Sequence, residues 1–119
     1  MLDHEKICAD VLALDSKIRF TGVANTKGVL TTHSYQKGVK EYLNESELNM
    51  SLHYSMLEWE KSKNLNHWIG AQTAFVAEYE KVSLISIPMN NNDLFVASLE
   101  PGEDYFQTVQ KIKPLLKEE

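Results

Sequence analysis

Two side chains that commonly bind metal ions lie four residues apart near the start of the chain. His4 and Cys8 have this spacing within a predicted helix, with Asp3 beside them, so both would face one side of it. No Cys-x-x-Cys pair and no second histidine pair supplies the further ligands that a metal site needs. We therefore expect no metal site, and we interpret Cys8 as a small buried thiol.

Two further histidines and one pair of acids are candidates for proton transfer. Histidine is the side chain most suited to proton transfer at physiological pH, but no motif near His33 or His53 provides a nucleophile or an orienting carboxylate. Glu78 and Glu80 look like paired carboxylates, yet they flank a predicted tight turn and should be solvated. We predict no catalytic residues and a protein that is not an enzyme.

The composition narrows the range of partners. The five glycines are dispersed rather than grouped in a phosphate-binding loop, so we expect no nucleotide and no other cofactor. The net charge of −5 over 119 residues argues against binding to nucleic acid or to an anionic membrane. The basic and aromatic residues of 37–42 are diluted by an acid and do not change this interpretation.

Length and cysteine content indicate the broad class. The chain is long enough for one domain, which we place at residues 1–119, and 43% hydrophobic residues suffice for one core. A single cysteine suits a reducing compartment, and the charged N-terminus does not resemble a signal peptide. No apolar run approaches the roughly 18 residues of a membrane span, so we expect a cytoplasmic protein.

The spacing of apolar residues predicts eight elements. A helix over 2–14 precedes a hairpin, whose strands Ile18–Ala24 and Val29–Ser34 are joined by a turn at Asn25–Gly28. A long helix follows at 45–63, capped by Asn44 and Glu47 and closed by the segment NLNHWIG. Strands at 73–79, 82–89 and 94–100 and a last helix from about Glu103, ended by Pro114, complete the order. The fold class is α+β, with a five-stranded antiparallel sheet in the order α-β-β-α-β-β-β-α.

The last two strands are apolar on both sides. Leu94 and Val96 oppose Phe95, Ala97 and Leu99, a pattern that a sheet with one wet face would not show. Helices should therefore cover both faces of the sheet.

The long helix carries two apolar stripes. At about 100° per residue, one stripe should lie on the sheet; its residues are Leu48, Leu52, Met56 and Trp59. Met50, Tyr54 and Leu57 fall on nearly the opposite side, although a surface helix usually has one apolar stripe. Three interpretations remain open: scattered exposed apolar residues, burial under NLNHWIG, or a partner interface formed with a second copy of this helix.

A group of aromatic residues raises the possibility of a ligand pocket. Trp59, Trp68, His67 and Tyr35 would line it if they met between the long helix and the sheet. The alternative interpretation is that they belong to an ordinary core.

Two stretches resemble a known family. The hairpin FTGVANTKGVLTTHS and the final segment LFVASLEPGEDYFQTVQKI are similar to the roadblock/dynein light chain 7 domains, which are related to profilin-like domains. LALDSKIRFTGVANTKGVL, EYEKVSLISIPM and LFVASLEP are also similar to a group of small archaeal proteins. The resemblance covers nearly the whole chain and implies a long helix on one face of the sheet and the terminal helices on the other.

The resemblance also implies a function. Roadblock domains typically dimerise through the long helix and the adjacent edge strand, here Thr73–Tyr79, and they commonly regulate small GTPases or act as scaffolds. The interface residues would be Met50, Tyr54 and Leu57 on the helix and Ala74, Val76 and Glu78 on the strand. The polar second strand and NLNHWIG depart from the pattern.

Two functional hypotheses follow. The first is a non-enzymatic, homodimeric interaction module, with an unidentified protein partner. The second is a small-ligand sensing domain like the PAS domains, which requires a cavity near Trp59 or Trp68.

Overall fold

The computed structural model describes residues 3–117 and has the predicted order of elements. The helices of this part of the chain are α1 (His4–Leu12), α2 (Glu45–Ser62), α3 (Asn66–Ile69) and α4 (Tyr105–Ile112). Its strands are β1 (Ile18–Ala24), β2 (Leu30–Tyr35), β3 (Phe75–Glu78), β4 (Ser83–Pro88) and β5 (Leu94–Leu99). The start of the predicted first helix, Leu2, lies outside the described residues. The short α3 is an addition to the predicted order.

All five strands form one antiparallel sheet in the order β2-β1-β5-β4-β3. The hairpin β1–β2 joins the meander β3–β4–β5 where β1 pairs with β5, for example at Thr21 and Ala97. The two halves of the sheet are thus distant in sequence and must close together. β2 and β3 are the edge strands, and β2 has the partly exposed, threonine-rich character that its sequence predicts.

The turn between β1 and β2 confirms the predicted chemistry. The side-chain oxygen of Asn25 accepts hydrogen bonds from the backbone N–H groups of Lys27 and Val29, at 3.0 and 3.1 Å. Gly28 has a φ of 77°, a conformation that side chains with a Cβ rarely adopt. These features form a tight turn whose register shifts at Val23 and Ala24.

The alternation of side chains along β1 is interrupted near its start. Simple alternation would place Ile18 on the same face as Phe20 and Ala24. The pairing with β5 instead shifts between Ile18 and Phe20, so that Arg19 is an extra residue on this side of the ladder. Ile18 therefore packs on the opposite face of the sheet, with Val23.

The sheet has a hydrophobic layer on each face, as its doubly apolar central strands predict. One layer lies under α1 and α4 and includes Cys8, Val11, Ile85, Phe95 and Ile112. The other layer lies under α2 and includes Phe20, Leu52, Met56, Trp59 and Leu94. The arrangement implied by the resemblance, with α2 on one face and the terminal helices on the other, is confirmed.

The ends of the helices follow from local sequence. Asn44 and Glu47 exchange side-chain to backbone hydrogen bonds in a capping box at the start of α2. A 3₁₀ turn at Lys63–Leu65 and α3 follow α2 directly, and the chain leaves α3 at Gly70, whose φ is 85°. α4 ends at Ile112, and Pro114 lies in the 3₁₀ turn that follows.

The strand β3 is shorter than predicted. It covers Phe75–Glu78 rather than 73–79, because it pairs only with residues 83–86 of β4. No helix among residues 3–117 is long and apolar enough to cross a membrane.

Candidate functional site

The two apolar stripes of the long helix α2 differ clearly in their exposure to solvent. Leu52, Met56 and Trp59 are buried against the sheet, with 3–7% of their surface exposed. Met50, Tyr54 and Leu57, called the outer stripe below, expose 53%, 61% and 42%. Most of a surface helix's far side is normally polar, so three large apolar side chains in one narrow arc form a distinct feature.

The segment NLNHWIG does not cover the outer stripe, so that interpretation is wrong. The segment itself adds exposed apolar surface just beyond the C-terminal end of α2. Leu65 is 52% exposed, Trp68 75% and Ile69 78%. Spacings of three and four place these side chains along one side of the 3₁₀ turn and α3.

The other predicted interface residues lie elsewhere. Ala74 packs against the layer under α1 and α4, and Val76 pairs with Ile85 of that same layer. Val76 and Glu78 are exposed and, by the period of the strand, share this face of the sheet. The structure therefore brings the three helix residues together and places the three strand residues on the opposite face.

A cavity lies between α2, the sheet and the connection from β2 to α2. Its volume is about 70 Å³, it is partly open to solvent, and most of its accessible wall is apolar. The walls include Phe20, Leu48, Leu52, Leu84 and Val96. Of the four residues predicted to line a pocket, only Tyr35 does so; Trp59 belongs to the core and Trp68 is exposed. The expected position near the two tryptophans is wrong.

The roof of the cavity is a strap without regular structure, residues 36–43. Arg19, the extra residue of β1, holds this strap to the sheet. Its guanidinium donates hydrogen bonds to the Glu100 carboxylate at 2.8 Å and to the Lys40 carbonyl at 2.6 Å, and it lies 4.8 Å from the centre of the Tyr42 ring. Only 7% of Arg19 is exposed, and the ion pair compensates for the burial of its charge.

Polar groups inside the cavity are few. Ser86 and Ser98 lie on the α2 side of the two central strands, where the neighbouring positions are apolar. Both residues are buried, and neither hydroxyl has a hydrogen-bond partner within residues 3–117. These two serines were the available sequence signal for the cavity, since strands buried on both faces are normally apolar throughout.

The surroundings of the cavity raise the pKa of one lining residue, Tyr35. Burial raises the pKa of its hydroxyl, and the neighbouring Glu41 raises it further, because a carboxylate repels the phenolate and accepts a hydrogen bond from the neutral phenol. Tyr35 therefore presents a neutral hydroxyl at the cavity wall near pH 7.

The remaining candidates for chemistry stay apart. His33 packs against the rings of Phe20 and Tyr35 at the β2 edge, with 5.9 Å between centroids in each case. His53 is on the exposed side of α2, next to the turn at Gly28. Cys8 is fully buried, and burial raises the pKa of its thiol. Among residues 3–117, no three histidine, cysteine or acidic side chains are grouped closely enough to hold a metal ion.

Comparison of the sequence with known proteins identifies no relative. No protein-family model matches the chain, and no curated protein matches it closely enough to count as similar. The similarity of this chain to known proteins lies in its three-dimensional fold.

Several solved structures have the same fold. A roadblock/LC7 domain from Streptomyces avermitilis is similar with a TM-score of 0.75 at 8% identity, over 97% of this chain and 92% of that one. MglB from Myxococcus xanthus has a TM-score of 0.71 at 12% identity, over 93% and 86% of the two chains. Another MglB structure, in a tetrameric arrangement, gives 0.69 at 11% identity over 93% and 85%. A profilin from Schizosaccharomyces pombe gives 0.64 at 10% identity over 96% and 94%.

These similarities define the class of protein by its fold. The chain has the roadblock/LC7 fold, which is also similar to that of profilin, and both expectations from the sequence are confirmed. At identities of 8–12%, the similarity establishes architecture and leaves function to be argued from the surface of this chain. The narrower resemblance to small archaeal proteins stays a prediction.

Proposed function

We propose that the chain is a non-enzymatic interaction module that forms a homodimer through the outer stripe of α2. The observation that carries this proposal is the exposure of Met50, Tyr54 and Leu57 on one side of the longest helix. Burying large apolar side chains against a second copy removes about 25 cal/mol of unfavourable hydration for each Å² covered. An isologous contact between two copies of one stripe needs no second complementary surface.

The size of the stripe indicates what else the interface requires. Stable interfaces usually bury about 800 Å² on each partner, which is more than three side chains provide. Leu65 and Trp68, just beyond α2, supply additional apolar area. The free edge of β3 supplies unpaired backbone groups, and Val76 and Glu78 would lie at its rim. Ala74 would contribute little, since it already packs inside the protomer.

A protein with this fold supports the proposal. An MglB of similar structure occurs in a tetrameric arrangement, so this architecture is compatible with association between copies. Regulation of a small GTPase is implied only by the family resemblance and stays a prediction, as does the identity of any other protein partner.

Light scattering coupled to size-exclusion chromatography tests the dimer directly. At tens of micromolar we expect twice the mass of the 119-residue chain, and a single protomer mass for a Tyr54→Glu, Leu57→Glu double variant. Charged residues placed at the centre of an apolar interface lose their water without gaining a partner.

A matched control is Asn49→Glu, which adds a charge to an exposed position of α2 away from the outer stripe. This variant should keep the dimer mass. A protomer mass for the unmodified protein, or an unchanged dimer mass for the double variant with a native circular dichroism spectrum, would reject the proposal.

A further inference from the structure

The cavity under α2 is a second feature, independent of the outer stripe. Three cationic groups surround one side chain of its roof. The Tyr42 ring centre lies 4.8 Å from the Arg19 guanidinium, 5.6 Å from the Lys81 ammonium and 5.9 Å from the Lys40 ammonium. In a chain with a net charge of −5, such convergence of positive charge is unexpected.

The two lysines of this group are not neutralised. Arg19 is paired with Glu100, but within residues 3–117 neither Lys40 nor Lys81 forms an ion pair. The cavity wall includes one acid, Glu41, and its carboxylate is positioned beside the Tyr35 hydroxyl. Lys40 lines the cavity and Lys81 lies beside the Tyr42 ring of its roof, so an anion bound near this ring would be attracted by both ammonium groups.

The interior of the cavity is suited to an apolar group. A water molecule needs at least about 10–15 Å³ of such space, so 70 Å³ accommodates a short alkyl chain of several atoms. Leu48, Leu52 and Leu84 provide apolar contacts along its walls. The hydroxyls of Ser86 and Ser98, two buried residues that line the cavity, remain available to one polar atom of the ligand or to water.

We propose that this cavity binds a small amphiphilic carboxylate, with its alkyl part under α2 and its carboxylate at Lys40 and Lys81. The strap 36–43 forms the roof over the ligand, and Arg19 holds the strap in place through the Lys40 carbonyl and the Tyr42 ring. Apolar walls provide most of the contact area, and the charged mouth selects for an anion, as is typical of small-molecule sites.

The probe that tests the proposal is hexanoate, titrated into the ¹⁵N-labelled full chain at low salt and followed by backbone amide shifts. We expect saturable shifts centred on the strap, on Ser51 and Ser55 of α2, and on Leu84 and Ser98 of the sheet. Three control ligands separate these contributions. Acetate has the carboxylate without the long alkyl chain, 1-hexanol has the alkyl chain without the charge, and hexylamine has the alkyl chain with a positive charge. Hexanoate should bind at least about tenfold more tightly than each of the three, because one favourable charge contact or several buried methylenes contributes that much.

Two sets of variants separate the parts of the site. Lys40→Gln with Lys81→Gln should weaken hexanoate about tenfold and leave the affinity for 1-hexanol unchanged, whereas the remote exposed Lys27→Gln should change neither. Ser55→Leu, which fills the cavity, should abolish binding of both ligands, whereas Ser46→Leu on the exposed surface of α2 should not. The lysine substitutions are at exposed positions, so they test the proposal even if a cavity variant does not fold.

The results that would overturn the proposal are equally specific. Equal affinity for hexanoate and 1-hexanol would show that the site does not recognise the carboxylate. Equal affinity for hexanoate and acetate would show that the apolar cavity does not contribute to binding. Shifts that do not saturate, or that centre on the outer stripe of α2, would show that the cavity is not the binding site.

Discussion

At the scale of the residue, the burial of Cys8 makes the stability of the folded protein depend on pH. Its thiol is enclosed in the layer under α1 and α4, and burial raises the pKa of the thiol in the folded state. An unfolded thiol titrates near about 8.5, so the folded protein holds this proton to a higher pH than the unfolded chain does. The stabilisation is complete below about pH 8.5 and is lost as the pH rises towards the folded-state pKa.

We therefore expect the free energy of unfolding to fall as the pH rises above about 8.5, with a slope of at most about 1.4 kcal/mol per pH unit. Urea unfolding at a series of pH values measures this slope. A Cys8→Ala variant should be less stable overall but lack this part of the slope. The pKa of Tyr35 is also raised, but its effect begins only near pH 10. If stability fell equally with pH in the unmodified protein and in Cys8→Ala, the thiol would not be responsible for the decrease.

Single residues also mark the limit of prediction from the sequence. Arg19 looks like an ordinary exposed member of an alternating strand, and only the register with β5 shows that it is a bulge residue holding the strap. Trp68 was expected at a pocket because aromatic side chains are usually buried, yet it is 75% exposed. Such outcomes depend on contacts between distant segments, which local patterns do not contain.

At the scale of the element, local chemistry was sufficient to predict the long helix. The capping box at its start is complete: the Asn44 side chain accepts from the Glu47 N–H at 2.8 Å, and the Glu47 carboxylate accepts from the Asn44 N–H at 2.9 Å. Asn44→Ala should lower the free energy of unfolding by about 1 kcal/mol, because the backbone N–H of Glu47 loses its partner. Urea unfolding monitored by circular dichroism measures this loss.

The exposed Asn49 within α2 provides the matched control for that substitution. Asn49→Ala should be neutral or slightly stabilising, since alanine has the higher helix propensity and no capping bond is removed. If the free energy of unfolding fell equally in the two variants, the capping hydrogen bond of Asn44 would contribute nothing to stability.

Element boundaries were predicted well where a local signal exists and poorly where pairing decides. Gly28, Gly70 and Pro114 mark turns or ends, and the structure has them there. The strand β3 was predicted too long, because its length is set by its four partners in β4 rather than by its own residues. The faces of β4 and β5 followed from alternation alone, which explains why the two-layer arrangement was predictable.

At the scale of the whole molecule, the proposed dimer predicts how stability depends on concentration. If two folded copies associate through the outer stripe and unfolded chains do not, mass action stabilises the native state as the protein is concentrated. A tenfold increase adds about 0.7 kcal/mol per protomer, which should raise the midpoint of thermal unfolding by about 3 °C for a domain of this size.

Thermal unfolding followed by circular dichroism at 2, 20 and 200 µM measures this dependence. The double variant Tyr54→Glu, Leu57→Glu should unfold at one temperature at all three concentrations, because its protomers no longer associate. Asn49→Glu should retain the dependence of the unmodified chain. A midpoint that is independent of concentration in the unmodified protein, together with a protomer mass, would leave the outer stripe without a second copy to cover it. The carboxylate site would be unaffected by that result, because its cavity lies within one protomer.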